Sequence, residues 1–184
     1  TVKAFRNTDP NTPIVLMGYL NPIEAYGYEE FAKDANKAGV DGVLIVDLPP
    51  EAAGEINAHL DRNGISPIHL IAPTTSEKRI GLIASAAKGY LYYVSLKGVT
   101  GVASVDPGAV KQKLQEIRNI TDLPLCVGFG IKDAASAKAI GDLAEGVVVG
   151  SALVNIIAAN QTDKNTLLQE THEFINSLRT ALDQ

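Results

Sequence analysis

Two glycine-bearing junctions in the C-terminal half of the chain are the segments best suited to bind an anion. One apolar run ends in Gly128-Phe129-Gly130, the next leads into Gly150-Ser151, and a helical pattern follows each. Glycine lets backbone N–H groups approach an anion without an intervening Cβ, and the first N–H groups of a helix are unpaired and lie at the positive end of its dipole. Together with the Ser151 hydroxyl, the two junctions predict a phosphate site. The alternative, that the glycines only serve tight turns, is the one we favour for Gly128 taken by itself.

A third glycine-rich segment, Leu96–Asp106, follows a tyrosine-rich apolar run. It is polar and about a dozen residues long, and a connection of that length at the active end of an enzyme is more often a lid than a spacer. Gly101 within it could add a third backbone contact to the anion.

The elements that must position these residues are short apolar runs bounded by glycine or proline. Each run is apolar on both faces, which predicts parallel strands that are buried on both sides. The six predicted strands are Pro13–Tyr19, Gly42–Leu48, Pro67–Ala72, Tyr90–Ser95, Leu123–Gly130 and Gly146–Gly150.

Segments with helical spacing lie between the predicted strands. The clearest is Ala109–Ile120, which is preceded by Asp106-Pro107, an N-cap followed by proline in the first turn. Thr74-Thr-Ser-Glu77 has the pattern of a capping box. Glycines at 39, 64 and 89 predict the ends of three helices.

Alternating strands and helices imply a parallel α/β sheet, either open and doubly wound or closed into a barrel. A doubly wound sheet predicts a glycine-rich fingerprint after the first strand, and Met17–Asn21 is not one. A barrel instead predicts a phosphate site after its last two strands, where the glycine junctions lie. We therefore predict a partial TIM (β/α)8 barrel with six β/α units, forming one incomplete domain over residues 1–184.

Composition excludes several classes of protein. With 46% hydrophobic residues and a formal net charge of −5, the chain lacks the basic field of a nucleic-acid-binding protein, and no segment is apolar enough to cross a membrane. Cys126 is the single cysteine, which favours a reducing compartment, so we expect a cytoplasmic protein. The three histidines, at 59, 69 and 172, match no metal spacing and are interpreted as structural.

Five motifs, in order along nearly the whole chain, resemble tryptophan synthase α chains. Gly98-Val-Thr-Gly101 after a tyrosine-rich strand is the most specific of them, and it resembles the strand-6 and loop-6 signature of the family. The motifs are Leu16–Pro22, Val43–Pro49, Tyr90–Gly101, Leu125–Ile131 and Val149–Val154, which resemble segments of strands 3, 4, 6, 7 and 8.

The resemblance implies a lyase of tryptophan biosynthesis that splits indole-3-glycerol phosphate into indole and glyceraldehyde 3-phosphate. It implies no cofactor on this chain, because in the family pyridoxal phosphate belongs to the β chain. The implied partner is that β chain, in an α2β2 complex.

Site residues follow from the resemblance position by position. Tyr92 would line the indole pocket, although it could equally fill the barrel interior, and Thr100 would help loop 6 close. Asp47 has helix capping as an alternative to partner contact. The residues implied to hold phosphate are Gly101, Phe129, Gly130, Gly150 and Ser151, and those implied to face the β chain are Tyr19, Asn21, Asp47 and Pro49.

The family's catalytic carboxylates come from strand 2 and the loop after it, and no such stretch occurs in these 184 residues. Because the chemistry needs proton transfer at both ends of the breaking carbon–carbon bond, carboxylates of tuned pKa are the natural groups for it. The chain starts just before strand 3, so we expect it to lack the first two β/α units, to bind phosphate weakly at most and to be inactive alone.

Six strands leave two open edges, which predicts self-association or, as the alternative, an N-terminal piece that stays bound without being part of this chain. Two other functions stay open at this point. One is another phosphate-sugar barrel enzyme, such as an epimerase or isomerase, and the other is a non-catalytic module that binds the β chain.

Overall fold

The computed structural model describes residues 1–95, 107–128 and 130–184, in which helices alternate with short strands. The elements in chain order are α1 (Val2–Arg6), β1 (Val15–Gly18), α2 (Leu20–Tyr26), α3 (Tyr28–Ala38), β2 (Gly42–Ile45), a 3-10 turn (Pro50–Ala52), α4 (Gly54–Arg62), β3 (Ser66–Ile71), α5 (Glu77–Ala86), β4 (Leu91–Val94), α6 (Pro107–Arg118), β5 (Leu125–Gly128), α7 (Ala134–Gly141), β6 (Gly146–Val148), α8 (Ser151–Ala159) and α9 (Lys164–Leu182).

These elements form two compact units. The first comprises residues 1–71, 75–91 and 120–123, and contains β1 to β3. The second comprises residues 72–74, 124–184 and the described part of 92–119, and contains β5, β6 and all of β4 except its first residue. The single domain predicted over 1–184 stays a prediction.

The first unit is built on three parallel strands in the order β1-β2-β3. Val15 pairs with Gly42 and Val43 pairs with Pro67, so the three strands run in the same direction and end at the same edge. Helices α3 and α4 bury their apolar faces against this sheet, and Ala32 and Leu60 are fully inaccessible. Burial of these faces removes apolar surface from water and is the main stabilising contribution to the unit.

The second unit has β5 and β6 as parallel neighbours, with Cys126 paired to Gly146 and Gly128 to Val148. Its core is formed by helices whose apolar residues recur three or four positions apart and by strands that are apolar on both faces. The fully or almost fully inaccessible side chains here are Val110, Leu114, Ile117, Leu125, Val127 and Ala137.

A carboxylate placed just before a strand braces the amino-terminal end of each unit's sheet. Asp41 Oδ2 accepts a hydrogen bond from Ile14 N–H at 2.7 Å and pairs with the Arg6 guanidinium at 2.5 Å. In the second unit Glu145 accepts from Leu125 N–H at 2.8 Å and from Arg118 at 2.7 Å. Each brace joins a carboxylate before one strand to an amide at the start of its neighbour, which fixes the spacing of the strand starts.

Strand burial follows position in each sheet. All four residues of β2 are buried, as are Leu91, Tyr92 and Tyr93 of β4, which confirms the prediction of strands covered on both faces. In contrast, β1 and β6 contain no buried residue, and the Met17 side chain is 63% exposed. These two strands pair on one side only among the described residues of their own units, which explains their exposure.

Two local predictions are wrong. The capping box at 74–77 does not form, because α5 begins at Glu77 and its N-cap is therefore Ser76, so Glu77 occupies the first helical position instead of the third and cannot reach back. Gly89 does not end α5, which stops at Ala86. With φ of +74° it lies in the turn before β4, where a Cβ would be 3.1 Å from Ile68 Cδ1.

Other helix signals are confirmed. Gly39 directly follows α3 with φ of +90°, and Gly64 lies two residues after the end of α4 with φ of +68°. Both have the left-handed conformation of a residue that ends a helix. Pro107 is the first residue of α6, as its position in the first turn predicted, and Asp106 lies outside the described residues. Five of the six strands are shorter than predicted, by two to four residues, since their flanking residues belong to turns and helix starts, whereas β3 has the predicted length and is shifted by one residue.

Candidate functional site

The loops that follow β5 and β6 leave the second unit at the same edge and the same level. Gly128 pairs with Val148, and Gly130 and Gly150 each lie two residues beyond this pair. Parallel neighbours are about 4.8 Å apart, so the two loops start side by side. Gly130, Gly150 and Ser151 are all exposed. The structure therefore brings these three predicted residues to one accessible edge.

Helix α8 offers unpaired amides at this edge. Its first hydrogen bond runs from Val154 N–H to Gly150 O, so the amides of Ser151, Ala152 and Leu153 have no acceptor within the helix. A Cβ built on Gly150 would meet no described atom within 4 Å. Among the described residues, the nine-residue helix thus begins with N–H groups that have no intrahelical acceptor, at the positive end of its dipole.

Helix α7 does not offer a second such end, which corrects the expectation from the sequence. Asp133 is its N-cap, and the carboxylate accepts from Ser136 N–H at 2.8 Å, while the Ser136 hydroxyl accepts from the amides of Lys132 and Asp133 at 3.1 Å. The hydrogen bonds from Ser136 hold the pKa of Asp133 below its usual value. Because a carboxylate already caps this helix, the anion site depends on α8 alone for helix-terminal amides.

Gly130 contributes a different feature. Its φ of +82° is in the left-handed region, which glycine adopts without the cost that a Cβ imposes. It is followed by the buried side chain of Ile131, which is 5% exposed and anchors the loop to the core. The loop after β5 is therefore anchored to the core by the Ile131 side chain and held at its C-terminal end by the capping box of α7.

Gly128 is required for neither a turn nor an anion. Its φ lies outside the left-handed region, and a Cβ on it would lie 2.5 Å from Tyr92 Cζ and closer still to the Tyr92 hydroxyl. The tight-turn interpretation of Gly128 is therefore wrong: it is glycine because the Tyr92 ring packs against its backbone. Tyr92 itself is 6% exposed in β4, on the strand that neighbours β5.

Ser95 is a residue of this region that the sequence did not single out. Its amide donates to Gly128 O at 3.1 Å, and its hydroxyl donates to the same oxygen at 2.8 Å. The two residues are 33 positions apart, so no local pattern could have revealed the contact. Ser95 joins the end of β4 to the end of β5, directly before the loop that contains Gly130.

Three predicted site residues, Thr100, Gly101 and Phe129, lie outside the described residues. Their roles stay predictions.

The residues predicted to face a partner lie together in the first unit, at the carboxyl ends of β1 and β2. Tyr19, Asn21, Asp47 and Pro49 are all exposed, Tyr19 to 63%. Asp47 Oδ1 accepts a hydrogen bond from Leu20 N–H, the first amide of α2, at 2.8 Å. Asp47 therefore caps a helix, and its exposure leaves the carboxylate accessible to a partner as well.

Within the described ranges, no group of three or more His, Cys, Asp or Glu side chains is placed to hold a metal ion, and no helix is long and apolar enough to cross a membrane. His69, in β3, is 6% exposed and its Nε2 has no hydrogen-bond partner among the described residues. Burial lowers the pKa of His69, which keeps the ring neutral and fits a structural residue.

Comparison with known proteins decides the family. The sequence profile of the tryptophan synthase alpha chain family matches residues 1–183. The chain belongs to this family. The tryptophan synthase alpha chain of Marinobacter nauticus is 51% identical over 182 residues, which are 99% of this chain and 67% of that protein. The alpha chain of Thioalkalivibrio sulfidiphilus is 54% identical over 182 residues, 99% of this chain and 68% of the relative.

Solved structures of tryptophan synthase alpha chains have the same fold. The alpha subunit from Legionella pneumophila superposes with a TM-score of 0.87 at 43% identity, covering 99% of this chain and 67% of that one. The alpha chain in an α2β2 complex from Pyrococcus furiosus gives 0.85 at 36% identity, covering 97% and 71%. These matches confirm the predicted α/β barrel class with six β/α units, and the chain spans about two thirds of the length of these relatives.

Family membership confirms several predictions made from sequence. Tryptophan synthase alpha chains are carbon–carbon lyases of tryptophan biosynthesis, and they carry no cofactor of their own because pyridoxal phosphate belongs to the beta chain. They assemble with that chain, as in the Pyrococcus furiosus α2β2 complex. The family match favours this lyase over the epimerase or isomerase considered as an alternative.

Proposed function

We propose that the amino-terminal end of α8 holds the phosphate group of indole-3-glycerol phosphate, the substrate of the family reaction. The observation that carries this proposal is the exposed, uncapped start of α8 at Gly150-Ser151, next to a loop with Gly130 in the left-handed region. A phosphate at a helix amino terminus accepts hydrogen bonds from N–H groups that otherwise lack partners and gains from the helix dipole.

The remaining site residues have distinct proposed roles. The backbone N–H groups of Gly130 and Ser151 would donate hydrogen bonds to phosphate oxygens, as would the Ser151 hydroxyl. Gly101 and Phe129, which lie outside the described residues, would complete the site. Tyr92 would line the indole pocket, with its buried ring held against Gly128. Thr100 would act in closing the loop over the substrate.

We further propose that the 184-residue polypeptide does not cleave indole-3-glycerol phosphate by itself. The reaction needs one group to protonate the indole ring and another to take a proton from the glycerol hydroxyl. Two described carboxylates at the strand ends are already engaged, since Asp47 accepts from Leu20 N–H and Asp133 caps α7. Each of these two carboxylates therefore already has a role at the start of a helix.

Turnover of the purified chain tests this proposal. We expect no indole release from indole-3-glycerol phosphate above the background of a heat-denatured sample, either with the chain alone or with a tryptophan synthase beta chain added. The beta chain alone is the second control. Indole release that scales with the concentration of the 184-residue chain would contradict the proposal.

The beta-facing surface is proposed to consist of Tyr19, Asn21, Asp47 and Pro49, which the first unit brings together. Capture of the chain by an immobilised beta chain without any turnover would support the alternative of a non-catalytic beta-binding module. The cytoplasm is the proposed compartment, on the basis of the single thiol, Cys126, which is unpaired in the described structure.

Self-association is proposed to cover the exposed edge strands. In the first unit Met17 presents a 63% exposed side chain from β1, and such an edge can pair with another chain. We expect light scattering to give a mass above the 19.4 kDa of one copy, and Met17→Lys to shift the population towards one copy, because a charge on an edge strand opposes pairing. A monomer at all concentrations for the unchanged chain would refute this prediction.

A further inference from the structure

We propose that Ser95 is a positioning residue for the phosphate site, acting through the carbonyl oxygen of Gly128. This inference rests on the proposed phosphate site at α8 and the Gly130 loop, and it assigns a role to a residue that touches neither the phosphate nor the reacting atoms.

Ser95 donates two hydrogen bonds to Gly128 O, one from its backbone and one from its side chain. The bond from Ser95 N–H to Gly128 O, at 3.1 Å, is a main-chain bond between the ends of two strands and would form with almost any residue at position 95. The bond from the Ser95 hydroxyl to the same oxygen, at 2.8 Å, depends on the side chain. One carbonyl oxygen has two lone pairs, and Ser95 engages both of them.

Two hydrogen bonds to one oxygen hold the Gly128 carbonyl in one orientation. The peptide unit is planar, so a carbonyl held by two donors cannot rotate without loss of at least one bond. The Tyr92 ring packs against Gly128 on the side where a Cβ would project, and it occupies the space into which that residue could shift. Gly128 is therefore held at both its carbonyl and its Cα, two residues before Gly130.

The far end of the same loop is also held. The Ser136 hydroxyl accepts from the amides of Lys132 and Asp133 at 3.1 Å, and the side chain of Ile131 is buried. Gly130 thus lies between two held residues, Gly128 and Ile131, which restricts the positions open to its backbone before any ligand binds. A site whose donors are already oriented loses less conformational freedom on binding than a flexible loop does.

Phosphate titration of the 184-residue chain, followed by 1H–15N NMR at constant pH and ionic strength, tests the assignment. Inorganic phosphate is the probe, and the amides of Gly130 and Ser151 are the reporters. For Ser95→Ala we expect a dissociation constant about fivefold higher, the size of effect that loss of one neutral hydrogen bond gives, together with a shifted Gly130 resonance before phosphate is added.

Two further variants make the result specific. Ser95→Thr keeps a hydroxyl on a strand residue and is expected to restore the affinity to within about twofold. Ser177→Ala is the matched control, since its hydroxyl donates to Phe174 O at 2.7 Å within α9, and it should leave phosphate affinity unchanged. Thermal denaturation of each variant measures stability separately.

The outcomes are distinguishable. If the unchanged chain shows no phosphate response at Ser151, the proposed site and this inference are both overturned. If the unchanged chain responds and Ser95→Ala binds equally well, the site stands and the role of Ser95 is wrong. Two other outcomes would also overturn the assignment. If Ser95→Ala fails to fold, the hydroxyl is needed for folding; if Ser95→Ala loses no more affinity than Ser95→Thr does, the hydroxyl does not contribute to phosphate binding.

Discussion

Replacing Ser151 by aspartate is expected to stabilise the chain slightly and to weaken its phosphate binding strongly. Ser151 is the first residue of α8, where a carboxylate interacts favourably with the helix dipole and with the amides of Ala152 and Leu153, which have no acceptor within the helix. This interaction contributes about 0.3–1 kcal/mol, which corresponds to a rise in Tm of about 1–3 °C for a chain of this size. The same carboxylate occupies the anion site and repels phosphate, so affinity should fall by at least about tenfold.

Opposite effects on stability and binding make this substitution informative. Ser151→Ala removes the hydroxyl without adding charge, and should weaken phosphate binding by about fivefold without raising Tm. Ser177→Asp adds the same charge in α9 and should leave phosphate affinity unchanged, which separates a local effect from a change in net charge. If Ser151→Asp binds phosphate as tightly as the unchanged chain, the helix terminus is not the anion site.

Replacing Gly128 by alanine is expected to destabilise the chain by about 2 kcal/mol, in the range of substitutions that overpack a core. The added Cβ would lie 2.5 Å from Tyr92 Cζ, and Gly128 is buried, so the aromatic ring or the strand must move. Urea denaturation of the unchanged chain and of Gly128→Ala measures the difference in their free energies of unfolding.

A double-mutant cycle with Tyr92→Leu tests the cause of that destabilisation. Leucine is shorter than tyrosine, so Gly128→Ala should cost markedly less in the Tyr92→Leu background, with a coupling of about 1 kcal/mol or more. Gly54→Ala is the matched control, because no described atom lies within 4 Å of a Cβ there and alanine favours its helix α4. Equal costs of Gly128→Ala in the two backgrounds would show that the Tyr92 contact is not responsible.

Local patterns were sufficient for the number and order of the strands. Apolar runs predicted every strand, and Gly39 and Gly64 correctly marked helix ends because a left-handed terminal residue is a requirement of the local backbone. The predicted strand ends were less accurate, since the residue at which pairing stops depends on the neighbouring strand. The capping box at 74–77 failed for a related reason: a one-position difference in the helix start changes which side chain can reach back.

The site was predicted in part. Placing Gly130 and Gly150-Ser151 together needed only the rule that neighbouring parallel strands end at one edge, and the register of β5 and β6 brings them there. The closure of the α7 terminus was missed, although Asp133 followed by Ser136 is a recognisable N-cap pattern. That pattern would have shown from the sequence that one helix end carries its own carboxylate.

By itself, then, the sequence determined which segments are strands and which glycines lie at the strand ends, because these depend on residues within a few positions of one another. Tertiary structure alone decided that Gly128 must be glycine and that Ser95 bonds to it, because Tyr92 and Ser95 reach Gly128 from β4, more than 30 positions away. Contacts of this kind follow from the packing of β4 against β5, and packing geometry has no short-range signature in the order of residues.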